Sequence, residues 1–184
     1  KVTADMRRQA KTINFGILYG QGPHGLSQTD DISYEEARNF IEEYFAAYKN
    51  IKKYVEETIT EAKKTGYVKT LFGRKRYLEE INATNVMIRK GAERMAINTP
   101  IQGTEADMIK TAMIKVKDLI DTEYQGHVTL LLQVHDELVF EVDPKVIREV
   151  TPKIQKIMEG VIKLSIPIIV DAKHGKNWID MKPV

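Results

Sequence analysis

The 184-residue chain contains no cysteine. Disulfides, thiolate metal ligands and a cysteine nucleophile are therefore excluded together. The absence fits a reducing, cytoplasmic setting. No apolar run approaches the roughly 18 residues that a membrane-crossing helix needs, so no membrane partner is expected. No basic-then-apolar leader follows Lys1, so no secretory signal is expected. A chain opening on Lys rather than Met reads as the later part of something longer. Charge of one sign is scarce as well. Lys and Arg number 28 and Asp and Glu 26, leaving a net charge of +2. Overall charge thus makes no case for nucleic acid, and local clustering would have to make it. Neither a Walker-type phosphate loop nor a Gly-x-Ser-x-Gly nucleophile elbow is present. His24, His127 and His174 are too dispersed to suggest a metal site. Internal repeats and low-complexity tracts are missing too.

What the chain has is core material. Hydrophobic residues make up 42% and charged residues 29%, enough for one domain or slightly more and too apolar for a disordered chain. Thr3 is placed to cap a helix running to about residue 18, which Gly20-Gln21-Gly22-Pro23 stops. Ser33 with Glu36 forms a capping box that opens a second helix. Phe40, Ile41, Tyr44, Phe45 and Tyr48 recur at helical spacing and predict its buried stripe. A third helix is expected from about Ile51 to Lys64, with Gly66 as its C-terminal cap. The period then shifts. Tyr67–Leu71, a Phe72-Gly73 turn and Arg74–Leu78 read as a short hairpin. Residues 86–98 are helical again, and Pro100 is expected to bend or end that helix. Another helix runs from about Thr104 to Ile120. His127–Val134 reads as a strand buried on both faces. Glu137–Val142 is a further strand, Asp143-Pro144 caps a helix to about Lys163, and Ile166–Ala172 is a final strand. The pattern is α+β, with a boundary near residue 85.

Two stretches carry chemistry. Arg7, Lys11, Phe15 and Tyr19 are spaced by four on the first helix, so the row stays on one broad side. Arg7 and Phe15 lie about 12 Å apart along the axis. The row passes from two cations to two aromatics, and a nucleotide has the matching polarity of phosphates and flat base. Gly16 removes a side chain where a flat group could approach the backbone. On spacing alone, a solvated helix with two core aromatics is the commoner alternative. The second stretch is His135-Asp136-Glu137 between two apolar strands. Adjacent carboxylates repel, and a hard divalent cation removes that penalty. A turn-forming Asp136 beside a solvated Glu137 is the simpler alternative.

Taken together the stretches resemble a family. Residues 7–20, Arg-Arg-Gln-Ala-Lys-Thr-Ile-Asn-Phe-Gly-Ile-Leu-Tyr-Gly, resemble the fingers-helix motif of the A-family, bacterial polymerase I-like DNA polymerases, Arg-x-x-x-Lys-x-x-x-Phe/Tyr-Gly-x-x-Tyr-Gly. Gln133-Val134-His135-Asp136-Glu137 is similar to the same family's palm motif. Arg94–Thr104 resembles its segment lining the primer–template minor groove. The likeness runs through the chain to Gly175 and Trp178.

The resemblance implies a helical fingers subdomain, residues 1–85, followed by the C-terminal half of an antiparallel-sheet palm, residues 86–184. It implies DNA synthesis from a primer 3′ end, with primer–template DNA and deoxynucleoside triphosphates as partners and Mg2+ as cofactor. Arg7 and Lys11 would hold the triphosphate, and Lys11 would donate a proton to pyrophosphate. Phe15 would pack on the incoming sugar and base, and Tyr19 near the templating position. Asp136 would ligate magnesium with Glu137 as accessory carboxylate, and His135 would sit by the primer end. Arg94, Asn98, Gln102 and Gln133 would contact duplex or template. Arg74, Lys75 and Arg76 form a basic cluster suited to backbone phosphates, or equally to a solvated hairpin. The family's second metal-binding aspartate, in a motif resembling Asp-Tyr-Ser-x-Ile-Glu-Leu-Arg, has no counterpart here. The chain alone is therefore expected to be inactive, with the missing palm half as a further partner. The alternatives are a single-subunit RNA polymerase relative and a non-catalytic nucleic-acid-binding module.

Overall fold

Thr3 opens the first helix as the sequence predicts: its hydroxyl accepts from the Met6 amide at 3.2 Å. The computed structural model describes residues 2–29 and 32–184. They divide into two compact units, residues 1–104 and 105–184. The architecture is α+β, helical with small antiparallel sheets.

In the first unit α1 (Ala4–Leu18) is followed by the short α2 (Pro23–Thr29), α3 (Tyr34–Ala47) and α4 (Lys49–Thr65). The capping box is formed: Ser33 receives the Glu36 amide while the Glu36 carboxylate receives the Ser33 amide. Gly66, at φ 78°, ends α4 in the left-handed conformation that favours glycine. Helix α2 was not expected. Its start overlaps Gly20–Gly25, which spells Gly-x-Gly-x-x-Gly. That spelling joins helix to helix here, so it lacks the strand-to-helix setting of a dinucleotide fingerprint.

Ile17, Leu26 and Ala37 form the local core, with Ile13, Ile32, Ile41, Tyr44 and Phe45 packed around them. The expected aromatic stripe is thus only partly inside. Phe40 and Tyr48 are 42% and 54% exposed. A second cluster joins Ala62, Val68, Leu78, Ile81, Ala92 and Ala96. It seats the hairpin of β1 (Tyr67–Lys69) and β2 (Lys75–Tyr77).

Pro100 neither ends nor divides its helix. After a short 3-10 turn at Glu79–Asn82, α5 runs from Val86 to Glu123 with Pro100 inside it. Side chains serve the carbonyls beside the proline: the Tyr54 hydroxyl donates to Ile97 O at 2.9 Å and Thr99 to Met95 O at 2.7 Å. Thr104 donates to Pro100 O and accepts from the Leu71 amide of the hairpin.

In the second unit, β3 (Val128–Val134) and β4 (Glu137–Val142) form an antiparallel pair, and α6 spans Ile147–Glu159. Val116, Ile120, Tyr124, Val128, Val150 and Ile154 make its core. The expectation that β3 is buried on both faces fails. Leu131 and Leu132 are 54% and 42% exposed, and β3 pairs with β4 alone among the described residues. Asp143 caps differently from expectation: its carboxylate accepts from the Lys145 amide in a turn, and the helix starts only at Ile147. Ile166–Ala172 is not a strand. It has no ladder partner, and the Gln155 and Glu159 side chains bind the Val170 backbone instead. The short strands β5 (Lys173–His174) and β6 (Lys182–Pro183) pair with each other.

Glu93 on α5 is buried and receives Lys63 Nζ at 2.6 Å and Lys90 Nζ at 2.8 Å. Burial pushes its pKa up, but the two ammonium groups outweigh burial and hold it below the usual 4.5. A carboxyl depressed on folding stabilises fully above its unfolded pKa, and that contribution disappears as pH falls through the native value. Glu93→Ala should cost about 1–2 kcal/mol at neutral pH, discounted because both lysines reach solvent. Urea denaturation at pH 7 and pH 4 checks this, and the difference between wild type and variant should shrink at the lower pH.

Candidate functional site

The four-residue spacing on α1 becomes a continuous strip. Arg7 and Lys11 are exposed, and Lys11 Nζ lies 5.8 Å from the centre of the Phe15 ring. Phe15 and Tyr19 stack at 5.9 Å with 13° between their planes. Ile13 and Ile17 take the core side of the helix, and Phe15 stays 39% exposed, so it is not a core residue. Charge, charge, ring and ring thus follow one another along an accessible face. Guanidinium and ammonium groups suit phosphate oxygens, and the ring pair offers a face for stacking.

The space at Gly16 is not open to a ligand as the sequence suggested. A Cβ there would run into the Gln21 side chain, which fills the gap. The end of α1 explains why Gln21 folds back. Gln21 N donates to Gly16 O and Gly20 N to Ile17 O, with Gly20 at φ 81°, which is a Schellman ending. Gly20 lies directly on α5: a Cβ there would meet Arg94 Cγ at 3.1 Å and Ile97 Cδ1 at 3.2 Å.

Arg94, Asn98 and Gln102 follow at four-residue intervals along α5, so they share a side of that helix. Arg94 and Gln102 are exposed, while Asn98 Oδ1 is buried with no hydrogen-bond partner among the described residues. The basic hairpin is less free than its composition suggests. Arg74 donates to Gly103 O at 3.0 Å, and Arg76 reaches Thr99 Oγ1 at 3.5 Å and Met95 Sδ at 3.2 Å. Lys75 Nζ sits 4.4 Å from the Tyr67 ring centre. Arg74 and Arg76 therefore fasten the hairpin to α5. Gly103 permits the close approach, since a Cβ there would meet Thr70 Cγ2 at 2.7 Å.

Gln133, His135, Asp136 and Glu137 belong to the second unit. Val134 pairs with Glu137, leaving His135-Asp136 as a two-residue turn. His135 has φ 52°, where glycine or asparagine is the usual occupant of such a turn. The Gln133 amide donates to His135 O and braces the tip. Leu131 is skipped in the pairing between Leu130 and Leu132, a bulge that increases local twist. A strained non-glycine residue beside exposed carboxylates marks a tip where side-chain placement outweighs backbone ease. Among the described residues no three His, Asp or Glu side chains cluster as a metal site. Asp136 and Glu137 are neighbouring oxygen donors, not a complete cage.

Sequence reasoning missed the contact that ties α1 to its neighbour. Tyr44 Oη donates to Asn14 Oδ1 at 2.8 Å. The aromatic period of α3 was visible, but nothing local marks Tyr44 as the partner of a residue 30 positions away.

Comparison with known proteins places this fold. The sequence model of DNA polymerase family A matches residues 1–180. The chain belongs to DNA polymerase family A. It is 46% identical over 182 residues to DNA polymerase I of Bacillus caldotenax, covering 99% of this chain and 21% of that protein. To the thermostable DNA polymerase I of Thermus aquaticus it is 45% identical over 177 residues, again 21% of that protein. The chain therefore spans about a fifth of these relatives' length. A solved POL domain of Pol1 from M. smegmatis, in complex with DNA primer-template and dNTP, matches with a TM-score of 0.86 at 40% identity. That match covers 91% of this chain and 29% of the other. No helix among the described residues is long and apolar enough to cross a membrane.

The seat of α1 is testable. Gly20→Ala should destabilise the chain by about 1–2 kcal/mol through its left-handed backbone. The side chains of Arg94 and Ile97 should add to that loss. Gly66→Ala is the control, with φ 78° and nothing within 4 Å of its Cβ. In thermal denaturation Gly20→Ala should lower the midpoint more than Gly66→Ala does.

Proposed function

We propose that this chain supplies the fingers and the returning half of the palm of a template-directed DNA polymerase. Residues 1–85 are the fingers and residues 86–184 the palm half. The observation that carries the reading is the strip on α1, where two accessible cations precede two stacked rings. Arg7 and Lys11 hold the triphosphate of an incoming deoxynucleotide, and Phe15 packs on its sugar and base. Tyr19 lies against the templating position. Arg94, Asn98, Gln102 and Gln133 contact the duplex, and Arg74 and Arg76 support that surface from the hairpin. His135 sits by the primer end.

The reaction joins the primer 3′ oxygen to the α-phosphorus and releases pyrophosphate. Lys11 neutralises charge growing on the leaving group and donates a proton to it. Asp136 and Glu137 offer hard oxygen atoms at an exposed tip, the donor type that magnesium prefers. Asp136 is the ligand in this reading and Glu137 the accessory. Bound magnesium would lower the charge barrier to in-line displacement. Two carboxylates from one turn supply only one side of such a site. The aspartate motif that completes it belongs to the missing palm half. Exposed Leu131 and Leu132 on β3 fit a sheet that receives further strands. The cysteine-free composition fits a cytoplasmic site of action.

Primer extension tests the proposal. The chain is mixed with a polypeptide carrying the missing aspartate motif, magnesium, primer–template and deoxynucleotides. Extension is expected, and it should fall about a hundredfold or more in Asp136→Ala and in Lys11→Ala. Duplex binding without extension under every pairing would instead establish a non-catalytic binding module. Extension with ribonucleotides in preference to deoxynucleotides would favour the RNA polymerase relative.

A further inference from the structure

We propose that Tyr44 is a positioning residue for nucleotide binding, acting through Asn14 to set the rotation of α1 about its own axis. The inference rests on the reading of the α1 strip as the nucleotide-binding face.

Successive helical residues are separated by 100°, so Asn14 lies about 100° from Phe15 and about 60° from Lys11 around α1. It therefore flanks the strip rather than belonging to it. The Tyr44 hydroxyl on α3 donates to Asn14 Oδ1 at 2.8 Å, across 30 positions in sequence. The core contacts of α1, Ile13 and Ile17, are apolar, and apolar packing is non-directional. A hydrogen bond is directional, so this one resists a roll of the helix that sliding side chains would permit. Rolling α1 would swing Lys11 and the Phe15–Tyr19 stack together, since all three project from the same side.

Tyr44 is itself held. Its ring lies 5.7 Å from Phe45 in an edge-to-face arrangement and 4.8 Å from Tyr48. Burial, then the neighbouring Tyr48, pushes the Tyr44 pKa up. The hydroxyl consequently stays protonated, as a donor must. At its other end α1 is seated through Gly20 on Arg94 and Ile97. The helix thus has an axial seat at one end and a rotational stop near its middle. Tyr44→Phe removes the stop alone, because the ring that packs against the local core remains.

The test measures binding of a fluorescent deoxynucleoside triphosphate to the 184-residue chain. Tyr44→Phe, Asn14→Ala, the double variant and Lys11→Ala are compared, each with its thermal midpoint. Tyr44→Phe and Asn14→Ala should each weaken binding about three- to tenfold, the scale of one lost hydrogen bond. The double variant should bind no more weakly than either single one, since both remove the same bond. The midpoint of Tyr44→Phe should stay within about 2 °C of wild type, which separates positioning from loss of fold. Unchanged affinity in Tyr44→Phe, or losses that add in the double variant, would overturn the inference. Lys11→Ala reports separately on the underlying reading. If it binds like wild type, or wild type does not bind, the nucleotide-binding reading fails and the positioning inference with it. If it loses affinity while Tyr44→Phe does not, only the positioning role fails.

Discussion

Glycine at position 20 sets the terms for the first unit. Its positive φ lets α1 stop in a Schellman turn, and its missing side chain lets that turn lie on Arg94 and Ile97. Any other residue would meet both a backbone penalty and a collision with α5. The identity of the strip on α1 follows from sequence spacing, but its usefulness depends on this seat. An amphipathic helix held only by its core face is free to adjust. One held at its end and beside its cationic strip presents charges and rings in a fixed direction.

The same economy governs the hairpin. Gly103 leaves room for Thr70, and Arg74 and Arg76 turn to the backbone and side chains of α5. A cluster that looks like a phosphate-binding patch in sequence therefore has a structural task first. In the second unit the tip inverts this relation. His135 takes a positive φ at a turn position that glycine or asparagine usually fills, and neighbouring Asp136 and Glu137 are exposed.

Much of this was legible because the signals are local. Thr3, the Ser33–Glu36 box and Gly66 act within one helical turn, and the four-residue row on α1 needs only helix geometry. Pro100 misled because α5 continues on both sides of it, and the Tyr54 hydroxyl that reaches Ile97 O beside it comes from another helix. The apolar run of β3 reads as doubly buried because a strand's pattern records the faces it is built to cover. Leu131 and Leu132 retain that pattern with only β4 beside them. Ile166–Ala172 is the same case, since its strand propensity finds no ladder partner among the described residues. Helix α2 is seven residues long and follows two glycines, too short for periodicity to show. Of the candidate site, the charge-to-ring order on α1 was readable, whereas Asn14–Tyr44 and the filling of Gly16 by Gln21 depend on tertiary placement.

We propose that Arg7 and Lys11 of α1 bind the triphosphate of a deoxynucleotide. Paramagnetic broadening by a manganese–deoxynucleotide complex tests it most directly, with the backbone amides of the chain as reporters. Broadening is expected at Lys11 and Phe15 on α1, and Lys11→Ala should abolish it. Broadening that spares Lys11 and Phe15, or that persists in the variant, would contradict this placement.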